Sequence, residues 1–246
     1  MKLLISPRDK TEAIEAILGG ANIIDIKNPV EGSLGANFPW IIKEVVDIVP
    51  KNVETSCTIG EMPKLPGSIS LAARGAASLG VNYIKAGLAG LKKIEDAIYL
   101  MTNIVKAAKN YNPKIKVVIT GYADAEKIGS IDPNLVPIIA SNISADVAMI
   151  DTALKNGKAL FDLLDKNQIE NFINSAHKLR LKAALAGSIK ISDLEKVQSL
   201  EPDILGIRGA ACTNNNRLYG KITKEKVKKI ANTLEYYQNN LSNLKK

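Results

Sequence analysis

Histidine and cysteine are almost missing from this 246-residue chain, which has one histidine, His177, and two cysteines, Cys57 and Cys212. Two thiols cannot make a disulfide framework for a chain this long, so both are read as buried free thiols. With no His/Cys spacing suited to a metal and no Gly-x-Gly-x-x-Gly or Walker pattern, the sequence implies neither a metal nor a cofactor. His177 falls late in a helical segment, away from any strand end, and reads as a surface residue. Long apolar runs are missing too. No stretch approaches the roughly 20 residues that span a bilayer, and the apolar opening around Leu3-Leu4-Ile5 is too short for a signal peptide. The expectation is a cytoplasmic protein without membrane contact.

Negative charge is in short supply: 33 Lys and Arg face 25 Asp and Glu, leaving a net charge of +8. Such an excess raises the question of nucleic acid, whose backbone rewards cations by releasing counterions. The distribution argues against it. Residues 220–246 carry seven lysines against Glu225 and Glu235, so five of the eight net charges sit in one terminal segment. There Ile222, Val227, Ile230 and Leu234 recur at helical spacing, which predicts a docked amphipathic helix with a solvated basic face.

Eight short runs rich in β-branched residues punctuate the chain, at 2–6, 21–27, 53–58, 81–85, 115–120, 145–151, 182–186 and 203–208. Helical periodicity fills the gaps, the spacing expected when each parallel strand returns through a helix. Most runs are apolar on both faces, as in Val117-Val118-Ile119, which suits strands covered by helices on one side and packed side chains on the other. Asp9 with Glu12, and Ser192 with Glu195, have capping-box spacing at helix starts. No composition shift divides the chain. The expected fold is α/β, one (β/α)8 TIM barrel over residues 1–246, with a doubly wound open sheet as the alternative.

Active sites of such barrels lie at the C-terminal mouth, so the strand ends are the places to inspect. In the second run Asp25 and Lys27 share one face while Ile24 and Ile26 take the other, which points a carboxylate and an amine inward. The fourth run ends in Lys85 and the sixth in Asp151, with Lys155 four residues on. Three lysines and two aspartates can thus converge, and clustering with desolvation is how a lysine of ordinary pKa near 10.4 becomes a nucleophile. The competing structural role is an ion-pair plug. Runs seven and eight end in Gly187-Ser188 and Arg208-Gly209-Ala210, where small residues expose backbone amides to a phosphate and Arg208 adds a charge. Cys57 ends the third run and is expected to line the mouth as a wall residue.

With Asp25-Ile26-Lys27-Asn28-Pro29, Glu31-Gly32-Ser33-Leu34-Gly35-Ala36 and Gly206-Ile207-Arg208-Gly209-Ala210-Ala211-Cys212 in place, the chain resembles the (5-formylfuran-3-yl)methyl phosphate synthase family of methanofuran biosynthesis. The resemblance runs from Leu3 to the eighth-strand motif; the second-strand motif and its loop are the specific part. It implies an enzyme that joins two glyceraldehyde 3-phosphate molecules into a furan aldehyde phosphate, releasing phosphate and water. It also implies a Schiff base on Lys27, supported by Asp25, Lys85, Asp151 and Lys155. The partner expected is a triose phosphate; a homo-oligomer is left open. Two other readings stand beside it: another Schiff-base aldolase acting on a sugar phosphate, and a basic nucleic-acid-binding protein without catalysis.

Overall fold

The computed structural model describes the backbone of residues 1–244 and the side chains of residues 1–240. Eight parallel strands close on themselves in sequence order, β1 (Lys2–Ile5), β2 (Ile23–Ile26), β3 (Glu54–Thr58), β4 (Tyr83–Gly87), β5 (Lys116–Tyr122), β6 (Val147–Asp151), β7 (Lys182–Leu185) and β8 (Ile204–Ile207), with β8 pairing β1. Around them run α1 (Lys10–Leu18), α2 (Pro39–Ile48), α3 (Pro66–Ser78), α4 (Ile94–Tyr111), α5 (Val136–Asn142), α6 (Lys166–Lys178), α7 (Leu194–Leu200) and α8 (Lys224–Leu244). This is the closed (β/α)8 barrel, and the open sheet is excluded because no strand is left as an edge.

Alternation along each strand sorts its side chains between two cores. Ile24, Ile26, Ile84, Val117 and Ile119 join the layer between sheet and helices, while Leu4, Ile23, Tyr83, Val118, Val147 and Met149 pack against one another inside the barrel. The inner cluster is small because the interior turns polar towards both ends. At the N-terminal end Glu54 accepts from Lys2, from Lys116 Nζ at 2.9 Å and from Tyr83 Oη at 3.1 Å, which closes the floor. The C-terminal end holds Asp25, Lys85, Asp151 and Arg208.

The helix ends show where local signals succeeded. Asp9 caps α1 by accepting from the Glu12 amide at 2.9 Å. Asn112-Pro113 ends α4, whose buried face includes Met101, Val105 and Ala108. In α8, Val227 and Ile230 are fully buried and Leu234 nearly so, against α1 and α7. Each such side chain contributes about 1.5–3 kcal/mol by leaving water, so this helix is part of the closure of the ring. Ser192 requires a correction. It lies inside a 3-10 turn, Ile191–Asp193, and Asp193 instead reaches back to the Lys190 amide at 2.9 Å, so the Ser192/Glu195 pair caps nothing. Among the described residues no helix is long and apolar enough to cross a membrane.

Candidate active site

Asp25 projects inward from β2 and is completely buried, which would be costly for a lone carboxylate. Its oxygens are saturated: Oδ2 accepts from Lys85 Nζ at 2.6 Å and Ser6 Oγ at 3.0 Å, and Oδ1 from Ser56 Oγ at 2.7 Å. Burial pushes its pKa up, but Lys85 and then Lys27 outweigh that and hold it below the usual carboxylate range. Lys85, 1% exposed, is thereby committed to an ion pair one layer beneath the mouth.

Lys27 stands one residue beyond the end of β2, its amide still bonded to the Pro7 carbonyl at 3.1 Å, so the backbone remains held by the sheet. Its amine is treated differently from that of Lys85. Among the described residues it makes no ion pair within 4 Å, and its one hydrogen bond is a long one, 3.3 Å to the Ser33 carbonyl. Burial and the Lys85 cation bring its pKa from 10.5 down to about 7, against the pull of Asp151 and Asp25. At pH 7 about half of such amines are neutral, compared with roughly 0.04% of free lysines.

Asp151 closes β6 on the inward face, accepting at Oδ1 from the Thr152 amide at 2.7 Å and from Lys155 Nζ at 3.0 Å. Burial raises its pKa, yet Lys155 and Lys27 together pull it well below normal, so it is ionised. Lys155 is no free loop residue. Its Nζ also donates to Thr152 O at 2.6 Å and Thr152 Oγ1 at 2.9 Å, which pins it over the mouth. The Glu31–Ala36 loop folds back to roof this cluster: Ser33 Oγ donates to the Thr152 carbonyl at 2.9 Å and Thr58 Oγ1 to the Gly35 carbonyl at 2.6 Å.

A cavity of about 480 Å³ opens above these groups, within the usual size of a small-molecule pocket. Lys27, Lys85, Lys155, Lys190, Arg208 and Arg217 line it, against Asp151 as the one carboxylate in its wall among the described residues, so positive charge predominates there. Gly187, Ser188, Gly209 and Ala210 also border it; Asp25 lies below its floor. Gly187 takes φ +107°, and a Cβ there would come within 2.9 Å of Thr152 Cγ2, so glycine lets the β7 end approach the loop carrying Lys155. Ser188 follows at φ 54°, also left-handed. The amides of Ser188, Gly209 and Ala210 donate to no loop or turn carbonyl among the described residues.

Three changes follow, two of them to expectations. Arg208 borders the cavity, but its guanidinium is spent inside the fold, on Glu12 Oε2 at 2.8 Å, the Ser6 carbonyl at 2.6 Å and the Arg217 carbonyl at 2.8 Å. Its charge answers a buried glutamate instead of standing free for a ligand. Cys57 does not line the mouth; it packs in the layer under the helices, where burial and then Asp25 push its thiol up to about 12. Its neighbours Ser56 and Thr58 take the inward face, and strand alternation turns Cys57 away. The third change is an addition. Tyr122, at the inward end of β5, is hydrogen-bonded to Glu61 from the β3 loop; burial raises both pKa values, and Asp151 adds to each. Nothing in the sequence marked this pair, or Arg217. His177 sits in the last turn of α6, 2.9 Å from Asp203 and remote from the mouth. Among the described residues no three His, Cys, Asp or Glu side chains gather as a metal-holding group.

The family model for 4-HFC-P synthase matches residues 3–231. The chain belongs to that family. It is 51% identical to the (5-formylfuran-3-yl)methyl phosphate synthase of Methanococcus aeolicus over 96% of this chain and 100% of the relative. With the enzyme of the same name from Methanocaldococcus jannaschii it shares 50% identity over 94% and 98%. Curated relatives at this identity are enzymes. Among solved structures, KGPDC from Streptococcus mutans superposes with a TM-score of 0.64 at 11% identity, over 96% of this chain and 98% of that one. The 3-hexulose-6-phosphate synthase from Salmonella typhimurium gives 0.63 at 16%, over 96% and 100%. Those likenesses are of fold.

Proposed function

We propose that this member of the family condenses two glyceraldehyde 3-phosphate molecules into (5-formylfuran-3-yl)methyl phosphate, for methanofuran biosynthesis, through an imine on Lys27. The observation that carries the proposal is the contrast among the three lysines: Lys85 and Lys155 are ion-paired, whereas Lys27 has a pKa of about 7 and no carboxylate within 4 Å among the described residues. A neutral amine attacks the aldehyde carbon, water leaves, and the resulting iminium draws electrons from the adjacent C–H, so that a base can take that proton. Loss of the β-phosphate, carbon–carbon bond formation with the second triose, dehydrating ring closure and hydrolysis of the imine, which returns the Lys27 amine and frees the product, complete the change.

In this scheme Asp25 fixes Lys85 below Lys27, where its charge adds to burial in lowering the Lys27 pKa and so raises the share of neutral amine. Asp151 and Lys155, hydrogen-bonded to each other beside the cavity, are the pair placed to move protons to and from substrate oxygens. The amides at Ser188 and Gly209–Ala210 receive a phosphate, as helix and turn amides do elsewhere. Borohydride reduction in the presence of glyceraldehyde 3-phosphate should attach a triose-derived mass to the Lys27 peptide, and Lys27→Arg should abolish the adduct because a guanidinium stays protonated. An adduct on Lys85 or Lys155 would overturn the assignment. Mass analysis of the released product separates the furan synthase from an aldolase acting on another sugar phosphate.

A further inference from the structure

Arg217 lies in the loop between β8 and α8, whose backbone is held at Arg217 and at Leu218. The Arg217 carbonyl accepts from Arg208 Nε at 2.8 Å, and the next carbonyl, that of Leu218, accepts from Arg8 Nη1 at 3.2 Å. The side chain then crosses to the roof loop after β2, where Nη2 donates to the Gly32 carbonyl at 3.0 Å. That is one of five N–H donors. No carboxylate lies within 4 Å of it among the described residues, although it is half-buried and lines the cavity. Arg208, by contrast, has Glu12. A partly desolvated guanidinium that no carboxylate touches, with Asp151 acting on it only from beyond 4 Å and in a wall already rich in cations, favours the entry of something anionic.

We propose that Arg217 forms a second phosphate subsite, separate from the glycine amides of β7 and β8, and that it selects phosphorylated over unphosphorylated aldehydes. The inference deepens the triose-phosphate reading above and rests on it for the identity of the ligand. Around the barrel the order is β7, β8, β1, β2. The amides occupy the β7–β8 side, while Arg217 reaches from β8 across to the β2 loop that roofs Lys27. A reaction that takes in two triose phosphates needs two places for a phosphate, and these are two chemically distinct ones on either side of β8. Arg217 forms no bond with the reacting carbon; it positions the substrate. The tether to Gly32 makes the contact depend on the roof loop being closed over the amine.

The test compares the unmodified protein with Arg217→Gln and Arg217→Lys. Borohydride trapping on Lys27 is followed with glyceraldehyde 3-phosphate and, separately, with unphosphorylated glyceraldehyde. A lost charge-assisted hydrogen bond corresponds to about a 10- to 100-fold effect. Arg217→Gln should slow trapping of the phosphorylated aldehyde by that factor and leave glyceraldehyde trapping unchanged, with Arg217→Lys in between. Equal loss with both aldehydes would mark Arg217 as a purely structural loop residue, and no loss with either would remove it from the site; each result overturns the proposal. Calorimetric titration with inorganic phosphate separates this failure from that of the reaction itself. If neither aldehyde is trapped but the unmodified protein binds a second phosphate equivalent that Arg217→Gln lacks, the subsite stands and the triose reading falls. Identical phosphate binding by both proteins overturns the subsite.

Discussion

Replacing Lys27 by methionine should make the protein more stable, and the gain should depend on pH in a way no other side chain imitates. In the unfolded chain the amine has its ordinary pKa of 10.5, and in the barrel about 7. Folding near neutrality therefore takes place against this group: at about 1.4 kcal/mol per pH unit, the lowering is worth about 5 kcal/mol well below pH 7 and about 4 kcal/mol at pH 7. Between pH 7 and 10.5 the unfolded state binds the proton and the folded state does not, so this amine's contribution to stability rises with pH across that window. Asp25 and Asp151, both held below the usual carboxylate range, remain ionised throughout and contribute no slope. Urea unfolding followed by circular dichroism, on the unmodified protein and Lys27→Met at a series of pH values from 6 to 9.5, isolates the difference. It should favour the variant and shrink by about 3 kcal/mol over that range. A difference that stays flat would show that Lys27 keeps an ordinary pKa in the folded state, and the argument for its nucleophilicity would go with it.

Two further outcomes test the surroundings of that amine. Lys85→Gln removes the cation that helps depress Lys27 and leaves Asp25 unpaired to attract it, so the pH midpoint for borohydride trapping should move above 7 by at least about one unit; an unmoved midpoint would show that burial alone sets it. At Gly87 a Cβ would overlap Glu61 Oε1 and Tyr122 Oη and stand 2.9 Å from Leu34 Cδ1. Gly87→Ala should therefore lower stability by about 1–3 kcal/mol in urea unfolding, with Tyr122→Phe in the same chain recovering part of it, and a neutral Gly87→Ala would show that Glu61 simply swings aside.

What could be read in advance follows from how far each signal extends along the chain. The barrel was legible because a parallel strand covered on both faces is apolar on both, and eight such runs separated by helical periodicity admit few topologies. The inward pair Asp25 and Lys27 was legible for the same local reason, since period-two alternation needs only neighbours. Cys57 had that signal too: Ser56 and Thr58 are the polar partners in its strand, and alternation from them turns the thiol outward. Arg208 was placed correctly at the mouth but not in its bonding, because its counterion Glu12 lies 196 residues away and looks, in sequence, like an ordinary capping-box glutamate. Glu61, Tyr122 and Arg217 were missed on the same ground. Tyr122 ends a strand as an aromatic would in any core, and Glu61 and Arg217 belong to polar loops with no period. The chemistry of this mouth depends on which cations find a carboxylate, a property of the closed ring: Lys85, Lys155 and Arg208 find one, whereas Lys27, Lys190 and Arg217 make no ion pair within 4 Å among the described residues.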